Sequence, residues 1–184
     1  MRARLNKFNH RGFTLLETMI ALVVLGVGVL GLAAMLATSL AYMNTSQADF
    51  IAQQKAAEAI ESIFTARDNQ AVTWSQIQNV SGGGIFIDGP QTLVDPGLDG
   101  IVDTVDDNTA LPDSIIKPGP DGILGTADDI VIPLSGSSFS MNRTITISSI
   151  VGESSVRQIQ VTVNYRVGHF TRAYTLTSYI SQYS

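Results

Sequence analysis

Between Gly12 and Met43 the chain has one charged side chain, Glu17, and from Met19 to Ala37 it has no strongly polar residue. As a helix those nineteen residues rise ~28 Å at about 1.5 Å each, close to the hydrocarbon thickness of a bilayer. The segment is therefore expected to span a membrane. Glu17 lies near one end of it, and a carboxylate in that setting costs roughly 2.5 to 3.5 kcal/mol on insertion scales. Such a residue calls for a cationic partner.

Ahead of the apolar run stand Arg2, Arg4, Lys7 and Arg11, which predict that the leader stays cytoplasmic while the rest of the chain crosses. The residues Gly12-Phe13-Thr14-Leu15-Leu16-Glu17, following that leader, resemble the signature of type IV prepilins and pseudopilins. The resemblance implies cleavage between Gly12 and Phe13 by a prepilin peptidase, N-methylation of Phe13, and an assembly role for Glu17. It implies as partners other pilins, packed helix on helix in a filament, together with the peptidase and an inner-membrane assembly platform. It further implies an inner-membrane precursor that moves to an extracellular pilus or a periplasmic pseudopilus, with the head outside the cytoplasm. The stretch Leu30 to Ala34 and the closing VTVNYRVGHFTRAYTLTSYI are most similar to the minor pilins called type IV pilus modification protein V. A pseudopilin of a type II secretion system and an adhesive or binding head on a pilin stalk remain the alternatives.

Five segments follow: 1–12, a cleaved leader; 13–43, a transmembrane and filament-core helix; 44–68, an amphipathic continuation; 69–138, an acidic Gly/Pro-rich loop region; and 139–184, antiparallel strands. The expected fold class is α+β, a long helix packed on an antiparallel sheet. A secretory signal cut after Ser39-Leu40-Ala41 is the rival reading, but its apolar region would far exceed the usual 7 to 15 residues. Gly26 to Gly31 spells GxGxxG, yet it lacks the strand before and the amphipathic helix after that a dinucleotide site requires. Small residues on a membrane helix, which permit close helix packing, explain it better.

In the helix continuation Phe50, Ala57, Ile60 and Phe64 recur at helical spacing, widened by Ala56 and Ile63, and are expected to face the head. Gln53, Lys55, Glu58 and Glu61 are expected on a solvated side. From Phe139 onward, Met141–Val151, Ser155–Val167 and Phe170–Ser181 are rich in Ile, Val, Thr and Tyr and read as strands. Within the middle one Ile159, Val161, Val163, Tyr165 and Val167 alternate with polar residues, so one face meets the core. Trp74 is expected to anchor the core, and Ile85-Phe86-Ile87 to form a short strand.

Without the leader, 7 basic side chains stand against 16 acidic ones, a balance of -9 before the new terminal amine, and this argues against a nucleic-acid surface. There is no cysteine, so loops are held by packing, pairing or an ion. An enzymatic function is not expected: His10 lies in the leader, His169 is read as a solvated turn residue, and no Cys-His pair or multi-histidine zinc site can be built.

Ten of the sixteen acidic residues fall between 69 and 138, where an internal near-repeat lies. Asp95 to Asp107 (DPGLDGIVDTVDD) aligns with Lys117 to Asp129 (KPGPDGILGTADD) at an offset of 22 residues. Each copy gives an Asp-Gly turn, an apolar pair able to tuck the turn onto the domain, and a returning Asp-Asp. Carboxylates at both edges of a tight turn suit a hard cation such as calcium. The candidate ligands are Asp99, Asp103, Asp106 and Asp107 in the first copy and Asp121, Asp128 and Asp129 in the second, where Gly125 replaces Asp103. Neither copy follows the EF-hand order, and a pair of solvated turns is the competing reading.

Overall fold

The computed structural model describes residues 12–109, 112–136, 139–168 and 170–183. The leader up to Arg11, His10 within it, and His169 lie outside the described residues. The chain divides into two compact units, Met1–Met43 and Asn44–Ser184. Helix α1, Leu15–Asp68, provides the described part of the first unit and the opening element of the second.

In the first unit Thr14 caps the helix: its Oγ1 accepts the Glu17 amide at 3.3 Å, satisfying one of the donors that every helix leaves free at its start. The side chains that follow are apolar and exposed all round, a composition and length suited to crossing a bilayer. The hydroxyls of Thr18 and Thr38 bond back to helix carbonyls, Thr18 to Leu15 at 2.8 Å and Thr38 to Met35 at 2.8 Å. That leaves neither hydroxyl to be desolvated unpaired.

In the second unit strands β1 (Gln91–Thr92), β4 (Asn142–Ile150), β5 (Glu153–Val167) and β6 (Phe170–Ser181) form an antiparallel sheet in the order β1-β4-β5-β6. Strands β2 (Ser114–Lys117) and β3 (Ile130–Pro133) pair separately as a hairpin. The period-two pattern in β5 sets the register: Val161 pairs with Ile145 on one side and Leu176 on the other. Ile159, Val161, Val163 and Tyr165 are buried as their alternation requires. Each fully buried Ile or Val contributes roughly 1.5–3 kcal/mol.

The helical stripe against this sheet differs from the expected one. Ala48, Ile51, Ala52, Ala56, Ala59, Ile63 and Ala66 are the buried residues, while Phe50 is 67% exposed and Ala57 is also exposed. Ile60 and Phe64 pack at the margin. The buried stripe is mostly alanine, interrupted by Ile51 and Ile63, and it runs beside the Phe50 face rather than through it. The solvated side is also less simple, since Lys55 bonds Asp113 at 2.5 Å and Glu58 at 2.7 Å.

One smaller expectation changes as well. Ile85-Phe86-Ile87 makes no strand; Phe86 forms a single bridge with Asn79. The Asn79 side chain donates to the Ile145 carbonyl and accepts the Ile147 amide, both at 2.8 Å, and so completes the edge of β4 beyond the two-residue β1. Trp74 is half-buried, and its ring lies 4.3 Å from the Arg157 guanidinium. Arg157 is buried, donates to the Trp74 and Ile77 carbonyls, and thereby ties β5 to the turn after α1.

Candidate functional site

Two sets of residues carry the functional argument. The first is the helix start. Gly12 has open space around its α-carbon and Phe13 is exposed, so the junction between them is accessible. Glu17 is exposed in the first helical turn. There its charge faces the positive end of the helix dipole, and it lies four positions after Phe13.

The second set is the acidic repeat, and the two copies fold alike. Asp99 Oδ1 accepts the Ile101 amide at 2.8 Å, and Asp121 Oδ1 accepts the Ile123 amide at 2.8 Å. Asp107 Oδ2 accepts the Asp103 amide at 2.6 Å, as Asp129 Oδ2 accepts the Gly125 amide at 2.6 Å. Thr104 and Thr126 donate to Asp106 and Asp128 at 2.6 and 2.7 Å. The preceding Pro-Gly steps permit this closure: a β-carbon on Gly119 would sit 2.2 Å from the Asp128 carbonyl, and one on Gly97 2.7 Å from Asp106 Oδ2.

The surroundings of the copies differ. In the first, Ile101 and Val102 tuck into the core, and Asp103, Thr104 and Asp107 are buried with them. In the second, carried by the β2–β3 hairpin, Ile123 and Leu124 are 60% and 61% exposed, so the expected tucking holds for the first turn alone. Among the described residues, no helix or sheet covers the apolar pair of the second turn.

Among the expected ligands of the first copy, Asp99, Asp106 and Asp107 come together, each offering a carboxylate oxygen within 4.8 Å of the others. Asp103 does not join them. It forms a bidentate pair with Arg143, at 2.9 and 3.0 Å, in which both side chains are 1% exposed. Asp103 has φ of 59° and Gly125 one of 89°, so this position needs the left-handed region in both copies. Glycine is the residue suited to that backbone, and aspartate stands in the first copy because it meets Arg143. In the second copy Asp121 and Asp128 are hydrogen-bonded and exposed, while Asp129 Oδ1 is enclosed without a partner among the described residues.

Burial raises the Asp107 carboxyl above its ordinary range, against the opposing hydrogen bonds from Thr104 and the Asp103 amide. The Thr126 hydroxyl lowers that of Asp128. A cation beside Asp107 would offset the cost of its buried charge. Sequence reasoning missed Arg143, although its parity with Ile145 and Ile147 places it on the core face of β4.

Residues 7–33 match the family model for the prokaryotic N-terminal methylation motif. The chain carries a prepilin-type N-terminus. The matched stretch holds Gly12, Phe13, Glu17 and the first part of the apolar helix, so the likeness to prepilins rests on the N-terminal segment. Processing by a prepilin peptidase and assembly with other pilins are what such a motif generally entails. No curated protein and no solved structure matches the chain.

Proposed function

We propose that the protein is a non-enzymatic structural subunit of a type IV pilus, of the minor-pilin kind represented by modification protein V. In this reading it is held in the inner membrane by residues 13–43, cut between Gly12 and Phe13, and drawn into a filament through its apolar helix. The observation that carries it is Glu17 beside the cleavable junction, on a helix whose following side chains are apolar on all faces. The resulting amine on Phe13 is cationic, and attraction between it and a carboxylate strengthens as the dielectric falls. Glu17 of one subunit then meets the amine of a neighbour and sets its register. Replacing Glu17→Ala should leave cleavage intact and reduce the amount of protein in sheared filaments about tenfold or more, the loss corresponding to roughly 1.4 kcal/mol of pairing free energy. Normal incorporation of that variant would refute the role. A pseudopilin of a type II secretion system would give the same variant phenotype, but the chain would then be missing from surface pili in cells that make both.

We also propose that calcium binds the first acidic turn through Asp99, Asp106 and Asp107. The support is their convergence around a buried carboxylate and the all-oxygen donor set that a hard cation prefers. The second turn, with Asp121, Asp128 and Asp129, is the weaker candidate because it is exposed. Calcium should raise the melting temperature of the full chain in detergent by a few degrees, as ligand linkage requires. Asp99→Asn with Asp106→Asn should remove most of that rise. Superimposable melting curves in calcium and in chelator would leave two hydrogen-bonded turns and no ion.

A further inference from the structure

From residue 44 onward seven basic side chains face fifteen acidic ones, a net of -8. In so acidic a unit most cations have carboxylate partners. Lys55 bonds Glu58 and Asp113, Arg67 bonds Asp68, Arg143 bonds Asp103, and Arg172 bonds Asp49. Arg157 is enclosed by backbone carbonyls and the Trp74 ring. Lys117 and Arg166 remain, with no ion pair among the described residues. Both line one cavity of about 300 Å³, and no carboxylate is among its described lining residues. Lys117 is half-buried there, a position where an ammonium gains from a counter-charge. The neighbouring acid on the helix, Asp49, is already taken by the Tyr165 hydroxyl at 2.6 Å and by Arg172.

The cavity begins at Gln47, four residues after Met43, where the apolar run ends. Four residues of chain reach at most about 14 Å in any conformation, and ~6 Å as a helix. The headgroup layer beyond the hydrocarbon is itself ~5–8 Å deep. Besides its cations the cavity offers Ile132, Phe139 and Val167, an apolar wall suited to the glycerol and first methylenes of a lipid rather than to a hydrated free anion. We propose that this cavity receives the phosphate of an anionic phospholipid headgroup while the subunit is held in the membrane. The proposal rests on residues 13–43 spanning the bilayer. Its effect is to orient a head whose net charge would otherwise be repelled by an anionic surface.

The test uses the full chain in vesicles, either pure phosphatidylcholine or about one-third phosphatidylglycerol, and follows the acylation rate of the Lys117 amine by mass spectrometry with Lys55 as the internal reference. Flotation with both kinds of vesicle reports insertion separately. A cation drawn to an anionic surface should react about fivefold more slowly in the phosphatidylglycerol vesicles. Arg166→Gln should remove most of this protection, and the conservative Arg166→Lys should restore it. Equal Lys117 rates in the two vesicles, with flotation intact, would overturn the site and leave the membrane span standing. Failure to float would overturn both. Equal protection by inorganic phosphate in detergent would assign the cavity to a free anion, and protection that appears only as copies associate would assign it to a neighbouring subunit's carboxylate; either contradicts the lipid.

Discussion

Asp103 and Arg143 show how one side chain decides the fate of a repeated motif. The two turns share their hydrogen bonds, but only the first has an aspartate at the left-handed position, and that aspartate meets an arginine on the core face of β4. Burying such a pair is costly, and removing one partner is worse because the other charge is left without compensation. Arg143→Ala should therefore destabilise the head by about 3–5 kcal/mol, measured as a fall in the urea midpoint at unchanged slope. Adding Asp103→Gly to that variant should recover much of the loss, because it removes the orphaned charge and installs the residue the second copy uses. A double variant no more stable than the single one would contradict this account of the pair. The turns themselves were legible from their Asp-Gly steps and Asp-Asp returns. The ion pair was not, because a loop aspartate carries no sign of a partner forty residues away.

Among the elements, the strands were the most readable. Period-two alternation in β5 placed Ile159 to Tyr165 on the core face, and the three long strands lie within a residue or two of their expected bounds. The head half of α1 was harder to read. Large apolar residues draw attention to Phe50 and Phe64, whereas the buried stripe is built mainly of Ala48, Ala52, Ala56 and Ala59, with Ile51 and Ile63 among them. Hydrophobic weight does not report that preference for small side chains. Ala56→Leu should accordingly cost about 1–3 kcal/mol by overpacking, while Phe50→Ala should leave the melting temperature of the full chain nearly unchanged. If the two substitutions had the same effect on thermal unfolding, the alanine row would not be the packing surface.

For the whole molecule, an apolar N-terminal helix with a prepilin-type junction and an α+β head carries the argument for a filament subunit. Beyond that helix, the head carries an excess of acidic side chains, two matching turns and a cavity lined by Lys117 and Arg166. The motif was legible because it consists of particular residues at fixed offsets, Gly12, Phe13 and Glu17, ahead of an apolar run. Nothing comparably local separates a pilus subunit from a pseudopilin, since the two share the same N-terminal signature. Mass spectrometry of the N-terminal peptide from sheared filaments tests the central claim directly. The account predicts a peptide that begins at Phe13 and carries one methyl group on its amine. Recovery of the chain in filaments with its leader intact, or its absence from filaments while the mature form accumulates in the membrane, would contradict it.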